Sequence, residues 1–252
     1  MKTALITGAS AGIGQATALE LARRDIGVIA TYRTHQAEGE ETVDRIQAAG
    51  GRAVALPLDL GGQAGLGDFV ASVAGALDAT WGTSRLDFLV NNAGAGGGDM
   101  FADITEDRFD LLQQVLFKGP YFLTQRLLPV LVDGGAIVNV GSTSALPGQV
   151  TAGYSAYAAP KAALHAVTPY WAKELAGRRI RVNAVAPGTT RTRLGGDVLL
   201  SSPELVESLG QGVAFGRIGE PEEVARVIAF LLSDEAAWVT GQVVEVSGGQ
   251  GL

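Results

Sequence analysis

Short apolar runs alternate with amphipathic stretches along the chain. Runs of strand type occupy residues 3–7, 27–32, 52–58, 86–91, 135–141, 180–186 and 242–246. Between them the pattern turns helical over 13–24, 36–49, 63–79, 105–132, 154–176 and 221–233. Continuous apolar runs suit strands buried on both faces, and helices with one polar side suit the layers that cover them. The repeated β–α units therefore predict a parallel seven-stranded sheet with helices on both faces, and right-handed crossovers make it doubly wound. Some helix starts carry local signals. Thr105 suits a cap with Glu106 and Asp107 in the first turn, and Pro221 suits a first helical position followed by Glu222 and Glu223. No linker or low-complexity tract divides the 252 residues, so one α/β domain over 1–252 is expected.

Two connections break the rhythm. Residues 93–98 are glycine-rich. The stretch 188–220 is long for such a connection, and it carries Leu194, Leu199, Leu200, Leu205, Leu209, Val213 and Phe215. Long connections in compact domains are usually functional, and the apolar content suits contact with an apolar ligand and equally a helical segment packed on the body.

Composition narrows the classes. With 47% hydrophobic and 18% charged residues the chain reads as globular, and its net charge of −7 argues against a general nucleic-acid binder. There is no cysteine, which excludes disulfide and thiolate chemistry. His35 and His165 show no metal-ligand spacing, so no metal site is expected. The start reads as a strand rather than a leader, and no apolar run approaches the roughly 20 residues of a membrane span. A soluble cytoplasmic protein is the expectation.

Tyr157 and Lys161 stand four residues apart, on one face of a helix. A cation held beside a phenol stabilises the phenolate and lowers its pKa, which suits proton transfer to or from an alcohol or ketone oxygen. At the other end of the chain, the strand 3–7 runs into Gly8-Ala9-Ser10-Ala11-Gly12-Ile13-Gly14 and then a helix. A strand, a glycine-rich turn and a helix N-terminus make an anion site, and the glycines let a backbone approach a pyrophosphate. The spacing is Gly-x-x-x-Gly-x-Gly, with Thr7 directly before it.

Taken with Asp59 in Pro57-Leu58-Asp59-Leu60, Asn91-Asn92-Ala93-Gly94, Ser142 after Asn139-Val140-Gly141, and Pro187-Gly188 followed by Thr192, the chain resembles the short-chain dehydrogenase/reductase family nearly end to end. The resemblance implies a Rossmann-like sheet and hydride transfer between a nicotinamide cofactor and a ketone or secondary alcohol. It implies Tyr157 as general acid or base. Lys161 would depress the Tyr157 pKa and hold the nicotinamide ribose, and Ser142 would position the substrate oxygen. The cofactor would lie on Gly8, Ser10, Gly12, Ile13, Gly14, Arg33, Thr34, Asp59, Leu60, Asn91, Ala93, Gly94, Tyr157, Lys161, Pro187, Gly188, Thr190 and Thr192, and residues 188–220 would cover the substrate. Ser144 is a weaker alternative to Ser142, and Tyr154 lacks a lysine four residues on. At the end of strand two an NAD site usually has an acid; here Tyr32, Arg33 and Thr34 favour NADP(H), with NAD(H) as the alternative, while Ala11 stands where many NADP-linked relatives are basic.

Two positions depart from the family pattern. Leu116 replaces an asparagine that holds a water beside the lysine; Gln113 and Gln114 are near but point to different helix faces. Pro160 falls between Tyr157 and Lys161, so the helix either starts just before Tyr157 or bends there. These departures motivate a second reading, a cofactor-binding regulatory or scaffolding protein with weak or lost catalysis. The leading reading is a carbonyl reductase, with a 3-oxoacyl carrier-protein reductase as one version, although an acidic chain docks an acidic carrier less naturally. Arg191 and Arg193 suit an anionic substrate group, cofactor phosphates or solvent. The resemblance further implies a homo-oligomer, a tetramer or dimer. Leu111, Leu112, Val115, Phe122, Leu123 and Leu252 fit such an interface, and core packing equally.

Overall fold

In the computed structural model, which describes residues 1–62, 65–194 and 196–252, the apolar runs form seven strands. They are β1 (Thr3–Ile6), β2 (Gly27–Tyr32), β3 (Ala53–Pro57), β4 (Leu86–Asn91), β5 (Leu131–Val140), β6 (Arg181–Pro187) and β7 (Val243–Val246). All pairings are parallel, in the order β3-β2-β1-β4-β5-β6-β7. Register explains the two-sided core. Leu5 pairs with Ile29 and Leu89, Leu89 with Ile137, and Ile137 with Val182, so this row of side chains shares one face. It packs on α3 (Leu66–Trp81), α5 (Gly119–Leu127) and α6 (Ser155–Glu174) through Phe69, Val73, Leu77, Leu123, Leu164 and Trp171. The opposite face, with Ile6, Val28, Val90 and Val138, packs on α1 (Gly12–Arg23), α2 (Gln36–Ala48) and α9 (Pro221–Leu232). Full burial of one such aliphatic side chain is worth about 1.5–3 kcal/mol.

The end signals act as their chemistry suggests. Thr105 accepts from the Arg108 amide at 3.2 Å at the start of α4 (Glu106–Gln113), and Glu220 and Glu223 form a reciprocal capping box on α9. The helix expected over 63–79 begins at Leu66; Gln63 and Ala64 lie outside the described residues.

The helix expected over 105–132 is overturned in two ways. A π-helical turn, Gln114–Lys118, separates α4 from α5, and α5 ends at Leu127, two residues before Pro129, which cannot sustain a helix. Strand β5 therefore starts at Leu131 rather than 135; Leu131 pairs with Leu86, and the register shifts before Ala136 meets Phe88. Helix α6 begins two residues before Tyr157 and runs through both Pro160 and Pro169. The 188–220 stretch contains α7 (Val198–Ser201) and α8 (Pro203–Gly210). No helix among the described residues is long and apolar enough to cross a membrane.

Candidate active site

A cleft of about 820 Å³ opens at the C-terminal ends of the strands. Strand β1 lies between β2 and β4, so the chain changes direction across the sheet there, and such a switch point leaves a crevice. Side chains and backbone stitch its floor. The Thr7 hydroxyl accepts from the Asn92 and Ala93 amides, both at 2.9 Å, and the Asn92 side-chain amide donates to the Thr7 and Gly8 carbonyls at 2.8 and 2.9 Å. Gly12 has φ +57°, where a β-carbon is strained, and a β-carbon on Gly14 would stand 2.2 Å from the Gly8 carbonyl oxygen. Ala11 gives α1 no side-chain cap, so the first amides of the helix are left for an anion.

Strand β5 and helix α6 bring the polar end together. Ser142 follows β5, and its hydroxyl accepts from the Ser144 amide at 3.2 Å. Its own amide donates to Nε2 of His165 at 3.4 Å. Tyr157 is 6% exposed and Lys161 4%. Lys161 Nζ donates to the Val140 carbonyl at 2.6 Å and sits 6.0 Å from the centre of the Tyr157 ring. Burial is the dominant electrostatic influence. It pushes Tyr157 up to about 12, against the lowering effect of a hydrogen bond from Ser142, and pushes Lys161 down to about 8. The lowered Tyr157 pKa expected from a neighbouring lysine is thus replaced by a raised one. His165, one turn beyond Lys161, falls to about 4 through burial and then the Lys161 charge, so it stays a neutral acceptor.

The cleft is lined by Gly8, Ser10, Gly12, Ile13, Arg33, Thr34, Asp59, Leu60, Ala93, Gly94, Ser142, Tyr157, Lys161, Pro187, Gly188, Thr190 and Thr192. Two expected cofactor residues fall elsewhere. Gly14 packs against Gly8 and Asn92 inside the turn. Asn91 is buried and donates to Thr124 Oγ1 at 3.0 Å and to Asn139 Oδ1 at 2.9 Å, so it ties β4 to β5 and α5. Its neighbour Asn92 lines the cleft instead, because successive strand residues point to opposite sides. Ser144 and Tyr154 also line the cleft, and the Tyr154 and Tyr157 rings meet edge to face at 5.8 Å. Leu194, Leu199, Leu205 and Leu209 of the long connection face the same space. Arg191 is held by Glu220 at 3.0 Å, and Arg193 approaches Glu38 at 3.8 Å. Sequence reasoning missed Glu38, Thr151 and Gln250 as lining residues; none lies in a local motif. No cluster of metal-ligating side chains occurs among the described residues.

Residues 8–250 match the sequence model of a family described as Enoyl-(Acyl carrier protein) reductase. The 3-oxoacyl-[acyl-carrier-protein] reductase FabG of Thermotoga maritima is 38% identical over 250 residues, covering 98% of this chain and 97% of that one. The chain belongs to the short-chain dehydrogenase/reductase family. It is an oxidoreductase of the type that acts on C=O or CH–OH groups. Among solved short-chain dehydrogenase/reductase folds, LugOII superposes with a TM-score of 0.95 at 39% identity, covering 100% of this chain and 98% of that one. LugOII is described as a promiscuous reductase catalysing keto-reduction at C1 during lugdunomycin biosynthesis. The angucycline C-6 ketoreductase LanV with bound NADP gives a TM-score of 0.93 at 37% identity, over 99% of this chain and 95% of that one; a second LanV structure holds NADP and rabelomycin.

Proposed function

We propose that this short-chain dehydrogenase/reductase uses NADPH to reduce an uncharged, largely apolar aromatic ketone, with Tyr157 donating the proton. One observation carries the reading: Ser142, Tyr157 and Lys161 converge in a single cleft that also presents Arg33 and Thr34 beside the glycine-rich turn. The residues fit the dinucleotide. The uncapped start of α1 suits a diphosphate. Arg33 is exposed and makes no ion pair among the described residues, which leaves it for a 2′-phosphate, with Thr34 beside it. Glu38, the nearby acid, is shared between His35 at 3.5 Å and Arg193 at 3.8 Å. LanV, with its bound NADP, agrees with this choice over NAD(H). When bound, NADPH supplies the hydride.

The protein's own groups handle the proton. A phenol pushed up to about 12 is protonated throughout the neutral range, so Tyr157 is present as an acid, the form reduction needs. Ser142 binds the substrate oxygen in this reading, and its hydrogen bond to Tyr157 supports a role in stabilising the phenolate left behind. Lys161, lowered only to about 8, keeps most of its charge near neutral pH and favours that phenolate.

The substrate class follows from the lining. Besides Lys161, the charged lining residues are Arg33, Glu38 and Asp59, which follow β2 and β3, and Arg193, which reaches Glu38. Leu194, Leu199, Leu205, Leu209 and Tyr154 supply an apolar stretch of wall, among uncharged polar residues that include Ser144, Thr151, Thr189 and Gln250. This suits an aromatic ketone better than a carrier-linked acyl chain, and the keto-reductions described for LugOII and LanV support it. The whole chain then acts as one dinucleotide-binding and catalytic unit with residues 188–220 as its cover, working as a homo-oligomer.

The test is NADPH oxidation with tetralone, hydroxytetralones and aliphatic diketones. Tyr157→Phe is expected to lower kcat by about 10²-fold or more and to leave NADPH affinity unchanged. NADH is expected to be the poorer reductant. One observation favours a second reading, a cofactor-binding protein with weak catalysis: Leu116 is an apolar, buried residue beside Tyr157. NADPH binding without turnover, indifferent to Tyr157→Phe, would establish that reading instead.

A further inference from the structure

Residues 248–252 run beside the cleft, and Gln250 lines it. Gly248 and Gly249 accept from the Phe215 and Ala214 amides, and the Gly251 amide donates to Gly212, so the tail runs along the 188–220 cover. At Gln250 the tail reaches both walls. Its side-chain oxygen accepts from the Thr189 amide at 2.7 Å, in the turn after β6. Its backbone carbonyl accepts from the Gln149 side chain at 2.6 Å, in the loop after β5 that carries Ser142. The fit is close on both sides. A β-carbon on Gly188 would stand 2.8 Å from Gln250 Oε1, and one on Gly251 would stand 2.3 Å from Gln149 Nε2.

The Thr189 contact also fixes the side-chain amide. A backbone N–H needs an acceptor, so the Gln250 oxygen must face Thr189, and the NH2 group must face away. Gln250 lines the cleft, and its Nε2 donates to no group among the described residues. An amide held by its oxygen, with its donor turned to a cleft, is preorganised to bind an acceptor there.

We propose that Gln250 is a substrate-positioning residue: the tail ties the two loops at the substrate end together, and the Gln250 NH2 binds an oxygen on the ketone other than the reacting carbonyl, a ring hydroxyl or second carbonyl. This rests on the ketoreductase reading above. It goes further by assigning the cleft a second polar anchor and the substrate a second oxygen.

Gln250→Glu separates the two roles. The carboxylate keeps an acceptor for Thr189 and the backbone carbonyl for Gln149, and removes only the donor. With a hydroxytetralone, this variant is expected to raise KM about tenfold with kcat within about threefold of wild type, since one buried hydrogen bond is lost. With tetralone, which lacks the second oxygen, KM is expected to be unchanged, as is NADPH affinity by fluorescence titration. Gln250→Ala removes the tether as well. Hydrogen exchange at the Thr189 amide is expected to quicken in Gln250→Ala and to stay slow in Gln250→Glu. Equal KM changes for the two ketones, or none, would overturn the anchor. Unchanged Thr189 exchange in Gln250→Ala would overturn the tether. A wild type that binds NADPH but reduces none of the ketones sinks the reductase reading and with it the anchor, while the exchange arm still decides the tether.

Discussion

Lys161 is 4% exposed, and its ammonium donates to the Val140 carbonyl. Burial lowers its pKa from 10.5 to about 8. Between those two values the unfolded chain holds a proton that the folded chain has released, so stability rises with pH across that window. Below it the penalty is present in full, roughly 3 kcal/mol at about 1.4 kcal/mol per pKa unit. Lys161→Met removes the charge, and part of the gain is offset by the orphaned carbonyl. The variant is therefore expected to be inactive yet more stable by about 1–3 kcal/mol near neutral pH, with the difference shrinking as pH approaches ~10. Urea unfolding at the two pH values checks this; a variant less stable than wild type near neutrality would show that the ammonium is not held at a cost. The Tyr157–Lys161 pair was legible from its spacing, because one helical turn places the residues on one face. Their pKa values were not, since burial belongs to the packed structure and here outweighs the charge that the spacing brings near.

At the scale of elements, the parallel strands were readable from apolar runs because each is buried on both faces. The segment from α4 to α5 was not. Its apolar residues continue through a π-helical turn, whose backbone pairing leaves no mark on hydrophobic period, and the helix stops where Pro129 approaches. Leu116 lies in that turn, 1% exposed, in a cluster with Leu112, Val115, Ala156 and Tyr157. The side-chain nitrogens of Gln113 and Gln114 are both buried with no hydrogen-bond partner among the described residues, so polar groups stand at the start of this turn but none at position 116. Leu116→Asn restores the residue usual in the family at the expense of apolar packing. It is expected to cost about 2–4 kcal/mol of stability and to raise kcat with NADPH affinity unchanged. Thermal unfolding and steady-state rates measure the two effects; lowered stability with an unchanged or lower kcat would argue against a water relay at this site. The same tertiary dependence explains Asn91 and Asn92. The doubled asparagine marked the place, but only the strand's orientation decides which of the two faces the cleft.

For the whole molecule, the order of strands leaves β3 and β7 at the edges of the sheet. Three of the apolar residues that fitted either an interface or the core are accounted for within the chain, since Leu112, Val115 and Leu123 are buried there. Exposed apolar side chains such as Phe101, Val150 and Phe215 lie elsewhere on the surface, and a further group stands at the β7 end. Trp238 is fully exposed at 100%, Tyr170 on α6 is exposed, and Val243 opens β7 at 36%. The loop before β7 packs on α6 here, since a β-carbon on Gly241 would lie 3.6 Å from Pro169, the residue before Tyr170. A free strand edge flanked by large apolar side chains is a pairing hazard in a monomer and is usually covered. A second copy would bring the same strand and the same aromatic residues across a two-fold axis, so that one self-complementary patch would cover the β7 edge of each. The wild-type chain is therefore expected to sediment as a dimer or tetramer at micromolar concentration. Trp238→Glu, which sets like charges against each other across that axis, is expected to weaken the assembly at least about tenfold with far-ultraviolet circular dichroism unchanged. A wild type that sediments as a monomer throughout, or a Trp238→Glu variant that associates as the wild type does, would place the interface elsewhere or remove it.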